Sequence, residues 1–187
     1  MYLFRASILC ALVWVVCAFH VPFKRLQSRQ YSTAIYAASS TSVEPGKLLY
    51  DAAVDNDVAK MKIAIKECNG NKDQINFANP QRYGRTPLVI ACYYNNVDAV
   101  KLLLSTPGVD VNKGIDFGST ALMYAAHRGH AESVKLLLAD KRTNVNARGS
   151  GGRWTNKTAL KLVTEMRGYT TENSAVADLL RAKGAIA

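Results

Sequence analysis

Residues 118–146 read GSTALMYAAHRGHAESVKLLLADKRTNVN, and the fold is decided there. Thr120 stands in capping position, where a side-chain oxygen can accept from an N–H of the first helical turn. Leu122, Ala125 and Ala126 follow at helical spacing. Gly129 breaks the run, because a tight turn between helices needs a positive φ that glycine reaches without strain. Val134, Leu137 and Leu138 then mark the apolar stripe of a second helix, and Val145-Asn146 closes the unit. The pattern predicts a turn, a short helix, a second short helix and a loop back.

The same pattern stands upstream in residues 84–112, opened by Gly84-Arg85-Thr86-Pro87-Leu88, with Thr86 lying 34 positions before Thr120. Pro87 falls in the first turn of the predicted helix, where its missing N–H has no partner to lose. Asn95 replaces the turn glycine, and Asn is the next best residue in that left-handed conformation. Two weaker copies flank the pair. Residues 48–79 carry Leu49, Ala52-Ala53, Val58, Met61, Ile65 and Ile75-Asn76, without the opening Thr-Pro and with Asp57 at the Gly-His step. Thr158-Ala159-Leu160 restarts the pattern 38 positions after Thr120, and Val176, Leu179, Leu180 and Lys183-Gly184-Ala185 close it. Between Glu165 and Ala175 this copy is lengthened, which predicts a longer turn or helices that run on.

Thr-x-Leu, Ala-Ala, Gly-His and Val-Lys-Leu-Leu-Leu, in that register, resemble an ankyrin repeat, whose period is about 33 residues. The resemblance implies an all-α fold, an ankyrin-repeat solenoid of stacked helix-turn-helix units with hairpin-like loops. Repeats are expected at about 46–79, 80–113, 114–147 and 154–187. One such unit cannot bury its apolar face alone, so at least three must stack, and the end copies are usually atypical. Degenerate outer copies around two regular ones are expected to make a complete four-unit stack; the alternative is a piece of a longer solenoid. In the family, the histidine after the turn glycine braces the loop by a backbone hydrogen bond, which is the role expected for His130.

Residues 1–42 stand apart from the repeats. Arg5 gives a short basic start, and residues 8–19 form an uncharged, mostly apolar run. That run is short for a membrane span and suits a signal-peptide core, with cleavage expected after Ala18. An uncleaved signal anchor is the alternative. Residues 19–42 contain Lys24, Arg25 and Arg29, many hydroxyl residues and no acid; the first acid is Glu44. This is a transit-peptide composition. Signal core, Ala18-Phe19 junction and basic hydroxyl-rich segment together resemble the two-part leader of secondary plastids. The resemblance implies a plastid location reached by the secretory route, with secretion as the alternative. Glu44-Pro45-Gly46 marks the boundary of a domain at 43–187.

The chain's formal charge is +10. The leader holds four of the 24 basic residues and no acid, leaving twenty against 14 acids and a domain charge of +6. That balance biases encounters toward acidic surfaces but says nothing of the fold. Cys10 and Cys17 lie in the apolar leader. Cys68 and Cys92 lack CxxC spacing, and Cys92 takes the second place of an Ala-Ala pair, as small core filler would.

No catalytic constellation is expected. Gly149-Ser150-Gly151-Gly152 lacks the Lys-Ser/Thr of a phosphate loop, and no HExxH occurs. His127 and His130 are separated by the turn glycine, which favours the structural role for His130 over a metal site. Asp55, Asp57, Asp110 and Asp116 read as turn acids. No cofactor, no metal and no small-molecule substrate are expected. Asn156-Lys157-Thr158 is a glycosylation sequon, although Thr158 already has a structural use.

The resemblance places binding on the concave face, built from loop tips and the exposed ends of the first helices. The tips are Arg82, Tyr83 and Arg85; Asp116, Phe117 and Ser119; Trp154, Thr155 and Lys157. The helix ends are Val54-Asp55, Tyr93-Tyr94, His127-Arg128 and Glu165-Met166. Arginine and aromatic residues gather there, types enriched among binding hot spots. The candidate partner contacts are Arg82, Tyr83, Arg85, Tyr93, Tyr94, Phe117, His127, Arg128, Trp154 and Lys157. An indole left exposed on a basic glycine-rich loop is costly unless covered, so Trp154 either meets a partner or packs against the neighbouring unit, and the same two readings stand for Phe117. The expected partner is a protein with an acidic or mixed polar–apolar surface. Nucleic acid is the second class: the charge allows it, but Lys and Arg are spread rather than striped. The mature domain is not expected in a membrane.

Overall fold

Each threonine that opens a copy caps a helix. Thr86, Thr120 and Thr158 accept at Oγ1 from the N–H of Val89, Met123 and Lys161, at 3.3, 3.4 and 3.2 Å. The first copy lacks the threonine; Pro45 opens its helix instead, and Glu44 makes no side-chain cap bond. The coordinates are a computed structural model that describes residues 44–115, 117–165 and 171–187. The expectations for the leader at 1–42, for Asp116 and for Met166 lie outside the described residues.

The described elements are α1 (Pro45–Val54), α2 (Val58–Cys68), a short α3 (Lys72–Ile75), α4 (Pro87–Tyr94), α5 (Val97–Ser105), α6 (Ala121–His127), α7 (Ala131–Ala139), α8 (Ala159–Thr164) and α9 (Thr171–Ala182). Single 3-10 turns occupy Pro80–Arg82 and Gly152–Trp154. Among the described residues extended pairing is confined to two isolated bridges, Asn79 with Arg85 and Gly149 with Thr155. The helices form two rows. First helices α1, α4, α6 and α8 pack in sequence, and second helices α2, α5, α7 and α9 do the same behind them.

Small residues let the first row close up. Ala52, Ala53, Ala91, Cys92, Ala125 and Ala126 are each buried. Between the rows lie the fully buried Leu49, Met61, Leu103, Met123, Leu137 and Leu180. Cys68 and Cys92 are both free and buried, and burial pushes the Cys92 thiol far above its usual range, so it packs as core filler rather than reacting.

The three described turns within a helix pair share one device. Asn56, Asn95 and Gly129 hold φ of +54°, +58° and +75°. The sequence reading noted Asp57 at this step; Asn56 beside it supplies the left-handed residue, while Asp57 caps α2 by accepting from Lys60 N at 2.9 Å. In the second and third units the next residue ties back to the unit before. Asn96 Nδ2 donates to Ala53 O (2.8 Å) and Val54 O (3.0 Å), and His130 Nδ1 donates to Cys92 O (2.9 Å). The histidine brace therefore spans two units.

A ladder of asparagines joins the opposite ends. Asn76 donates to Gly108 O and accepts from Asp110 N, both at 2.8 Å. Asn112 donates to Arg142 O and accepts from Asn144 N, both at 2.7 Å. Asn146 donates to Gly184 O (3.2 Å) and accepts from Ile186 N (2.8 Å). Each amide satisfies backbone groups of the following unit that no strand would pair.

Candidate functional site

The loop before α4 turns sharply at two consecutive left-handed residues, Tyr83 (φ +59°) and Gly84 (φ +66°). Asn79 holds its base, capping the 3-10 turn through Gln81 N (3.0 Å) and donating its own N–H to Arg85 O (3.0 Å). The turn delivers the Arg85 guanidinium over Tyr93, 4.4 Å from the ring centre, and near Tyr124 at 5.3 Å. Arg128, at the end of α6, also lies over Tyr93, at 4.0 Å. A guanidinium over a ring is held by the ring's quadrupole, worth roughly 0.5–2 kcal/mol depending on exposure.

The rings continue as a chain across three units. Tyr94 meets Tyr93 edge-on at 5.0 Å, and Tyr93 meets Tyr124 at 5.9 Å. Tyr124 lies 4.8 Å from Trp154 with the planes tilted by 34°, and His127 meets the same indole edge-on at 5.1 Å. Trp154 is therefore buried, at 7% exposure, which decides for packing against the neighbouring unit. The reason is Tyr124, one unit back, which gives the ring a face to lie on.

The glycine-rich loop is built for close approach. Ser150 N donates to Phe117 O at 2.8 Å, and a Cβ on Gly151 would fall 2.7 Å from Phe117 Cδ1. Phe117 thus leans on the next loop yet stays 44% exposed. Tyr83 and Tyr94 are exposed by 60% and 50%. Between these loops opens a cleft of about 210 Å³, lined by Tyr83, Arg85, Ile115, Phe117, Tyr124 and Trp154 with Gly151 and Gly152.

Charge on this face is unbalanced. Arg82, Arg85 and Arg128 form no ion pair among the described residues. The Nε of Arg85 is buried and has no acceptor among them. Lys157 differs: it pairs with Glu165 at 2.6 Å, and that hydrogen bond holds the Glu165 carboxyl below its usual range.

Comparison with family profiles finds Ankyrin repeats (3 copies) at residues 15–149 and 107–185, well over half of the chain. The chain belongs to the ankyrin-repeat family. The first match begins inside the stretch read above as a signal core. Curated proteins gave no match. Ankyrin repeats are in general protein–protein interaction modules rather than enzymes.

On this ankyrin stack the named residues fall into two groups. Tyr83, Arg85, Tyr93, Tyr94, Phe117, His127, Arg128 and Trp154 come together in one run of contacts. Arg82 is exposed on the 3-10 turn beside them, and Lys157 is engaged with Glu165. Tyr124 and Ile115 were missed. Tyr124 is the ring through which Arg85, Tyr93 and Trp154 meet. Its position one helical turn before His127-Arg128 was the available signal. Among the described residues no group of three His, Cys, Asp or Glu could hold a metal, and no helix is long and apolar enough to cross a membrane.

Proposed function

We propose that this ankyrin stack is a non-catalytic scaffold that docks another protein on its concave face, the face of the loop tips and first-helix ends. One observation carries the reading. Tyr83, Tyr94 and Phe117 stand exposed beside three arginines that form no ion pair among the described residues, and these residue types dominate binding energy at interfaces. Such a face fits a partner surface that is acidic or mixed polar–apolar. Changing Tyr83 and Tyr94 together to Ala tests it: partner capture should weaken while helix content holds.

The same arginines with aromatic neighbours favour nucleic acid as a second reading. Its signature is affinity that falls steeply with salt for any single strand or duplex. The composition of residues 1–42 supports delivery to a plastid by the secretory route. A fusion of residues 1–42 to a fluorescent reporter should enter plastids in a suitable algal host, and export to the medium would support secretion instead.

A further inference from the structure

We infer that the cleft among the loop tips that carry Arg85, Phe117 and Trp154 is a carboxylate site, which receives a Glu or Asp side chain of an extended partner segment together with an adjacent large apolar side chain. The inference rests on the docking reading above and sharpens it to one subsite and one chemistry.

Arg85 is the centre. Its guanidinium is clamped over Tyr93 and Tyr124, and the Tyr83 ring lies 6.0 Å away. Rings fix the position of the charge without neutralising it. No acid among the described residues pairs with it, and its Nε is buried without an acceptor. A guanidinium offers a rigid fork of donors that matches a carboxylate. Arg128, over the same tyrosine, adds a second positive charge close by, with no ion pair among the described residues.

The walls supply the second half. Tyr83 and Phe117 flank the opening with 60% and 44% of their surface exposed, while Trp154 and Tyr124 lie buried in the lining. A volume of about 210 Å³ holds one or two side chains and no folded element. Nucleobase stacking is disfavoured within the cleft. The inner rings are already occupied, Tyr124 by Trp154 at 4.8 Å and Tyr93 by two guanidinium groups. What the cleft presents is a fixed charge beside apolar edges, and an acidic residue next to Phe, Leu or Trp complements both.

The test uses the full chain and fluorescence anisotropy of labelled, end-capped nonapeptides. Each carries Phe, Leu or Trp one to three positions from a single Glu, and each has a Gln twin. At least one Glu peptide should bind, with its Gln twin bound tenfold more weakly or worse. Arg85→Gln should erase that discrimination, Arg85→Lys should keep part of it, and Phe117→Ala should weaken both twins alike. Equal affinity for Glu and Gln twins would overturn the site, and needs no variant that must fold. So would no binding by any Glu peptide, or an oligothymidine displacing the best peptide at lower concentration than the unlabelled peptide does. If the twins bind equally while Tyr83→Ala/Tyr94→Ala still weakens capture of the partner protein, the carboxylate site fails and the docking reading stands.

Discussion

Gly129 holds φ at +75° in the turn between α6 and α7, a conformation in which a β-branched side chain is strained. Gly129→Val should cost roughly 1–3 kcal/mol in urea denaturation, and Gly129→Asn much less, because Asn56 and Asn95 hold the same conformation elsewhere. Asp57 gives a second prediction at this scale. Hydrogen bonds from Lys60 hold its carboxyl below the usual aspartate range. A depressed folded value means that the ionised cap stabilises fully above the ordinary aspartate range. That contribution is lost as pH falls through the lower folded value. The stability gap between the protein and Asp57→Ala should therefore narrow on acidification across that window. Residue types alone made the turn positions at Asn95 and Gly129 legible. Asn56 was hidden because Asp57, next to it, is also a turn former.

Elements depend on neighbours that a single repeat does not show. The threonine caps were readable because cap, turn and stripe lie within one unit. Trp154 was not, because its burial comes from Tyr124, thirty positions earlier and in the preceding unit. The composition of its loop, glycine-rich and basic, left partner contact and packing against the neighbouring unit equally open. Its glycines in fact admit the Phe117 ring and backbone. Trp154→Ala should cost about 3 kcal/mol by thermal or urea unfolding, and Trp154→Phe less, since a smaller ring still covers Tyr124. A Trp154→Ala variant as stable as the parent would show that the indole does not hold its own loop in place.

For the whole molecule, stability lies in the interfaces between units as much as within them. Asn112 both donates to and accepts from the next unit's loop. Asn112→Ala should lower stability by roughly 1–2 kcal/mol and flatten the urea transition as the third unit loosens from the second. The period of the repeat was visible in the sequence, and with it the two rows of helices. The gathering of Arg85, Tyr93, Arg128 and Trp154 into one face was only half visible, because it needs the loops of three units in register. The most direct measurement of the docking account is quantitative affinity capture from the native organism by the full chain and two variants. One variant carries Tyr94→Ala with Arg128→Ala at the ends of α4 and α6; the other carries Lys62→Ala with Lys66→Ala on α2 in the second row. The account predicts that the first loses the specific partner at least tenfold and the second keeps it. Equal capture by both, or loss confined to the α2 variant, would contradict it.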